Sequence, residues 1–368
     1  MKIGIDARLW NESGVGRYIR NLVFELTKID KKNEYVLFVR GEDESGIKNH
    51  ELGKNWKVVP VNIRWHTLAE QVQFPSIINK ENVDLMHFPY FSVPIFYNKP
   101  FVVTIHDLIL HHFPTGEAST LPLPFYGVKL FGYRYIIANA AKKAKKILTV
   151  SHATEKEIID HLYIPKEKIV VTYEGVDTKI TEKGRIQSKI AERYLLYVGN
   201  AYPHKNLERL IKAFEILKNQ HIALSLVLVG KEDYFYKKLK QKVVTMQLQD
   251  KIIFAGGVDD KELAALYKGA YACVMPSLME GFGLPVLEAM ASGCLVIASD
   301  IPAHREIVDD AAIYVNPISV EDIVEKVTTI YNNYNGYKSY INKGITRAKN
   351  FSWEKMAKET LTVYNDAL

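Results

Sequence analysis

Cysteine is almost missing from this chain: 368 residues hold two, Cys273 and Cys294. Each sits in an apolar run, YACVM and CLVIA. That excludes a disulfide framework or a cysteine zinc site and reads as two buried thiols in a reducing compartment. Long hydrophobic runs are missing too. No stretch approaches the roughly 20 apolar residues of a membrane-spanning helix, and the N-terminus MKIGIDARLW is unlike a secretory signal because it soon turns polar. The expectation is a soluble, cytoplasmic protein. Charge of one sign is not concentrated: 48 basic residues face 42 acidic ones, a net +6. This excess suits an anionic ligand or an anionic membrane surface and argues against a nucleic-acid partner, which would show a denser basic patch. No short repeat or low-complexity tract appears.

What is present is an ordinary globular composition, 48% hydrophobic and 24% charged, on a chain long enough for two cores. Short β-rich runs alternate with helical patterns throughout, the signature of parallel sheets covered by helices. The first half offers strands at 2–6, 34–39, 57–61, 84–88, 101–106, 146–150 and 168–173. Helices are expected at 17–27, 67–78, 121–145 and 151–161, the last capped by Ser151. The second half offers strands at 194–198, 224–229, 251–255, 272–275, 294–298 and 312–315. Strand signals lapse in the polar segment 177–193, so the fold class is α/β, two Rossmann-like doubly wound domains: 1–180 and 190–351. Ligands of such sheets bind beyond the carboxyl ends of the strands, so two domains in tandem are expected to face each other across a deep cleft.

The segment EGFGLPVLE (280–288) follows one of those strands. Pro285 suits the first turn of a helix, which Gly293 would end. Glu280 then lies in the loop and Glu288 in the first helical turn. Helix N-terminal N–H groups favour anions, and Gly281 and Gly283 let backbone approach a ligand. A diphosphate fits, with the two carboxylates accepting hydroxyls from a sugar and a ribose. The plainer reading is that both glutamates complement the helix dipole.

The string EGFGLPVLEAMASGCLVIAS resembles the donor-site signature of retaining glycosyltransferases of family 4 (glycosyl transferases group 1), a nucleotide-sugar-dependent family with the GT-B fold. IDARLWNESGVGRYIRNL, VVTIHDL, ILTVSHATEKEI, YEGVD, YVGNAYPHKNLERLIKAF, LVLVG and FSWEKMA extend the likeness over nearly the whole chain. The resemblance implies an N-terminal acceptor domain, a C-terminal donor domain and a final helix, 352–368 with Ser352 as cap, that crosses back to the first.

Site residues follow from the same resemblance. Glu280 would hold the sugar, Glu288 the ribose and Lys205 the departing diphosphate, with Asn200, Gly281, Phe282, Gly283 and Leu284 completing the donor site. Lys205 stands between a strand and a helix that Asn206 would cap; a solvated surface lysine is its alternative. Many family members carry an arginine where Asn200 stands, so Arg305 or Arg17 is a candidate for the second cation, with His204 beside the lysine. Gly14 and Gly16 would form a loop closing over the donor diphosphate or acceptor; they lack the third glycine of a dinucleotide fingerprint. His106 would contact the transferred sugar or acceptor, with Asp107 nearby.

His111 and His112 follow, and their spacing makes a metal cluster conceivable, but no carboxylate or thiol completes a convincing ligand set. No Asp-any-Asp triplet appears, so neither metal nor cofactor is expected. The activity implied is retaining transfer of a hexose, GDP-mannose being the preferred donor, to a glycan or lipid-linked glycan in polysaccharide biosynthesis. Residues 125–146 mix aromatics with Lys and Arg, fitting peripheral contact with the inner membrane face or, more plainly, a helix with a solvated lysine end. A non-catalytic sugar-nucleotide-binding or scaffold protein of the same fold is the rival. A nicotinamide oxidoreductase is disfavoured by the incomplete glycine fingerprint.

Overall fold

A computed structural model describes residues 1–48, 52–114, 123–177 and 193–368. The chain divides into two compact units, Met1–Gly175 with Ser352–Leu368, and Val176–Phe351. Most of the polar segment expected to separate the domains, 177–193, lies outside the described residues.

The first unit runs β1 (Lys2–Asp6), α1 (Gly14–Ile29), β2 (Glu34–Val39), α2 (Glu44–Lys48), β3 (Trp56–Pro60), α3 (Leu68–Lys80), β4 (Leu85–Phe88), β5 (Phe101–Ile105), α4 (Ile109–His112), α5 (Leu123–Lys143), β6 (Lys146–Thr149), α6 (His152–Leu162) and β7 (Ile169–Val171). Its sheet is ordered β3-β2-β1-β4-β5-β6-β7, with every pairing parallel. Strands such as β4 and β5 are buried along their full length, which is why they read as unbroken apolar runs instead of alternating ones. Ser151 caps α6, accepting from the Thr154 N–H. A cap of this kind contributes about 1 kcal/mol.

The second unit runs β8 (Tyr194–Val198), α7 (Leu207–Asn219), β9 (Ser225–Val229), α8 (Tyr234–Thr245), β10 (Ile252–Gly256), α9 (Asp260–Gly269), β11 (Ala272–Met275), α10 (Leu284–Ala291), β12 (Val296–Ser299), α11 (Pro302–Val308), β13 (Ala312–Val315), α12 (Val320–Asn332) and α13 (Lys338–Ala348). Its parallel order is β10-β9-β8-β11-β12-β13. In each sheet the order reverses once, between β1 and β4 and between β8 and β11, and this switch opens a crevice at the strands' carboxyl ends.

The last helix, α14 (Trp353–Asp366), belongs to the first unit. Ser352 caps it by accepting from the Lys355 N–H. Its buried face, Trp353, Met356, Ala357, Thr360, Val363 and Tyr364, has helical spacing and lies along α1. The Tyr364 hydroxyl reaches His87 Nδ1 at 2.6 Å, and His87 Nε2 meets Thr104 Oγ1 at 2.8 Å. The helix is thereby tied to β4 and β5 through a buried polar chain.

Candidate active site

The most concentrated chemistry in the second unit lies at its topological switch. After β8 the chain turns through Pro203–Lys205, and after β11 it turns through 276–283. The loops are bound together directly: the Leu278 N–H donates to the His204 carbonyl at 2.7 Å, and Asn206 Nδ2 donates to the Pro276 and Pro317 carbonyls at 2.9 and 2.7 Å. This juxtaposes Lys205 and Glu280. The ammonium contacts both carboxylate oxygens, at 2.7 and 2.8 Å, and the Ser277 hydroxyl donates to Oε1 at 2.7 Å. Both partners are largely buried, with 15% and 8% of their side-chain surfaces exposed.

Burial alone would raise the Glu280 pKa, but the Lys205 charge, the neighbouring His304 and the hydrogen bonds from Lys205 together bring it down to about 2. Burial pushes His204 down to about 4, with Lys205 adding to the effect. His304 is also lowered, chiefly by burial. Lys205, the largest favourable charge and the one in direct contact, is the main cation that keeps Glu280 ionised.

Helix α10 begins at Leu284, directly after Gly283, whose φ of +98° is costly for any residue with a side chain. The start of α10 presents its N–H groups beside the carboxylate loop. Glu288, expected in the first turn, is the fifth residue of the helix and is buried, accepting from the Tyr267 hydroxyl at 3.0 Å. It therefore lies beyond the turn where it would complement the dipole.

Other expectations are revised. Asn206 occupies the cap position of α7 but has φ 63°, ψ 26° and makes no side-chain cap bond. Its amide joins the two loops instead. Arg305 pairs with Asp300 at 2.6 Å and stacks on Tyr314 at 3.6 Å, so it does not accompany Lys205. Asn200 Oδ1 accepts from the Tyr202 N–H at 3.3 Å, a local turn contact. The Phe282 ring is buried against Phe351 and anchors the loop, and Leu284 is partly exposed at the helix start.

Sequence reasoning passed over Ser277 and His304. His304 Nδ1 lies 3.2 Å from the Ser299 carbonyl, which fixes the proton there, while buried Nε2 has no hydrogen-bond partner among the described residues. That nitrogen lies 3.4 Å from where a Gly283 Cβ would stand. Only its place after a strand signalled it.

In the first unit, Gly14 and Gly16 lie in the first turn of α1, not in a loop before it. A Cβ on Gly16 would stand 2.6 and 2.7 Å from the Trp10 and Leu9 carbonyl oxygens, whereas one on Gly14 would meet nothing within 4 Å. Gly16 thus seats the helix on the β1–α1 loop. His106 follows β5, with Nε2 2.9 Å from the Pro89 carbonyl and Nδ1 3.5 Å from Glu174. Tyr18 meets its ring edge-on at 4.9 Å. Asp107 accepts from the Ile109 N–H at 2.9 Å, starting α4. Lys205, Glu280, Gly281 and Gly283 thus share one neighbourhood in the second unit; Gly14, Gly16, His106 and Asp107 belong to the first.

Two family profiles tile the chain: the one described as Glycosyltransferase Family 4 matches residues 13–180, and the one described as Glycosyl transferases group 1 matches residues 179–347. The O-antigen chain mannosyltransferase RfbU of Salmonella typhimurium is 34% identical over 253 residues, 69% of this chain and 66% of that protein. The O-antigen chain mannosyltransferase B of Escherichia coli is 27% identical over 376 residues, 96% of each chain. Among solved structures, sucrose-phosphate synthase from Thermosynechococcus elongatus superposes with a TM-score of 0.80 at 20% identity, covering 100% of this chain and 98% of that one. At that identity it speaks for the fold, which is GT-B.

Proposed function

This chain belongs to the group 1 family of glycosyl transferases, and from that membership we propose that it is a retaining, metal-independent hexosyltransferase. It carries mannose from GDP-mannose to a hydroxyl of a glycan or lipid-linked glycan during polysaccharide assembly. The mannosyltransferase names of the two relatives support the choice of sugar. The observation that carries the reading is the buried Lys205–Glu280 pair at the β8/β11 switch.

In this reading the bond from the sugar's anomeric carbon to the diphosphate breaks and its electrons go to the departing phosphate oxygen. The acceptor oxygen bonds to that carbon on the same face, and its proton passes to the leaving phosphate. Negative charge grows on the diphosphate, where the Lys205 ammonium and the N–H groups opening α10 meet it. An ammonium has three donors, so Lys205 can keep a bond to Glu280 while turning another to phosphate. Glu280, held ionised, accepts sugar hydroxyls and fixes the ring. Glu288 serves the ribose, Gly14 and Gly16 are assigned to the donor diphosphate or the acceptor, and His106 and Asp107 to the transferred sugar or acceptor.

We also assign the protein to the cytoplasm, peripheral to the inner membrane face. Val128, Phe131 and Tyr135 are 73%, 74% and 53% exposed and share one face of α5, with Lys129 and Arg134 exposed nearby. No described helix is long and apolar enough to cross a membrane. Failure to bind anionic vesicles at low salt would remove this assignment.

The test of the activity is thermal unfolding against GDP, UDP, ADP, CDP, dTDP and NAD with EDTA present. A ligand at about one hundred times its dissociation constant adds about 2.7 kcal/mol to the folded state. The expected result is a shift with GDP that Lys205→Met loses. A shift with NAD alone refutes the reading, and a shift with UDP alone refutes the donor choice. Glu280→Gln should lower turnover about a hundredfold, and NMR of the product reads the anomeric outcome.

A further inference from the structure

We infer that His112, Glu157 and His161 form a binding site for one divalent transition-metal ion of the zinc class. The three lie in the first unit, outside the residues assigned to sugar transfer. His112 ends α4, while Glu157 and His161 stand four residues apart on α6 and so share one face of it. Each offers one ligand atom, and the three atoms lie within 4.8 Å of one another. Glu157 Oε2 is 2.5 Å from His112 Nε2 and 3.3 Å from His161 Nε2. The two rings meet at 90° with centroids 4.9 Å apart.

The chemistry suits a borderline-soft cation. Two imidazoles and one carboxylate are a known three-ligand set for zinc, with bonds of about 2.0–2.1 Å, which puts tetrahedral ligand atoms about 3.4 Å apart. The Glu157–His161 separation already matches, and the Glu157–His112 pair needs to open by about 1 Å. The ligands are partly exposed, so an ion has access and a fourth position stays open to water. His111, beside His112, lies 3.0 Å through Nδ1 from the Tyr133 hydroxyl, and its ring centroid is 6.1 Å from that of His161.

The sequence offered no carboxylate or thiol that completed a ligand set with His111 and His112; the fold brings Glu157 and His161 to His112 from a helix well downstream. The ion would clamp α4 to α6. Because α4 begins two residues after Asp107, the clamp would hold the segment that follows His106 and Asp107. This inference does not depend on the proposed transferase activity.

The test uses the untagged full-length chain, stripped with EDTA and dialysed, titrated with ZnCl2 by calorimetry and with CoCl2 by visible absorption. The expected result is one equivalent per chain, a cobalt spectrum of tetrahedral type without thiolate charge-transfer bands, and affinity weakened roughly tenfold or more in His161→Ala and in Glu157→Gln. Tryptophan fluorescence of the variants checks that the first unit is folded. Absence of a saturable equivalent, thiolate bands, or variants that bind like the parent would each overturn the assignment.

Discussion

Replacing Lys205 with Met keeps an apolar stem in place and removes the charge that pairs with Glu280. In the parent, Glu280 titrates at about 2 against an ordinary value of 4.5. A depressed carboxylate contributes stability that is fully present above its unfolded pKa and is lost as pH falls through the folded one. At 1.36 kcal/mol per tenfold change, this group contributes about 3 kcal/mol near neutrality, lost between about pH 4.5 and 2. In the variant the carboxylate stays buried and loses the one cation that touches it. Burial then raises its pKa above the ordinary value, the sign reverses, and the folded state is penalised at pH 7. Truncating one partner of such a pair typically costs 3–5 kcal/mol. Acidification should recover part of the loss, as Glu280 takes a proton and as His204 and His304, relieved of the Lys205 charge, become easier to protonate. The molecule carries its own reporters: both cysteines are buried in the second unit, whereas the four tryptophans, Trp10, Trp56, Trp65 and Trp353, all belong to the first. Urea titrations at pH 7 and pH 5 should follow thiol accessibility for the second unit and tryptophan fluorescence for the first. The expected result is an early thiol transition at pH 7 that moves toward the parent's at pH 5, with the tryptophan transition unmoved. A thiol transition within about 0.5 kcal/mol of the parent's at pH 7, the range of an ordinary surface substitution, would refute the reasoning.

The same two probes check the glycines. Gly283→Ala places a Cβ at φ +98°, 3.2 Å from Val286 Cγ2 and 3.3 Å from His304 Cδ2, and should lower the thiol transition by about 1–3 kcal/mol. Gly16→Ala drives a Cβ onto the Trp10 and Leu9 carbonyls and should lower the tryptophan transition by a similar amount. Gly14→Ala, with open space around its Cβ, should instead be neutral or stabilising by about 0.5–1 kcal/mol, since Ala is the better helix former. Equal effects at Gly14 and Gly16 would refute the claim that Gly16 seats the helix.

What the sequence made legible, and what it hid, has a physical pattern. The strands could be read because fully buried parallel strands carry unbroken apolar runs; their ends slipped by a residue or two, as with 294–298 against Val296–Ser299, because ladder partners set the ends. Pro285 marked the start of α10 correctly, but counting from Leu284 moves Glu288 to the helix's fifth position, where burial and Tyr267 decide its environment. Asn206 looked like a cap because of its residue type, yet its positive φ turns the amide toward Pro276 and Pro317. The Lys205–Glu280 contact spans 75 residues, and no local pattern encodes it. It exists because β8 and β11 are neighbours at the reversal of strand order, so that the loops leaving them converge. The same physics accounts for the His112, Glu157 and His161 cluster. Parallel β5 and β6 are adjacent, and the helices that follow their carboxyl ends, α4 and α6, come together although their residues are far apart in the chain. In a doubly wound sheet, then, residue types at strand exits can be read from sequence, but the pairs they form depend on strand order. Chemistry that needs two such exits becomes visible only when the order is known.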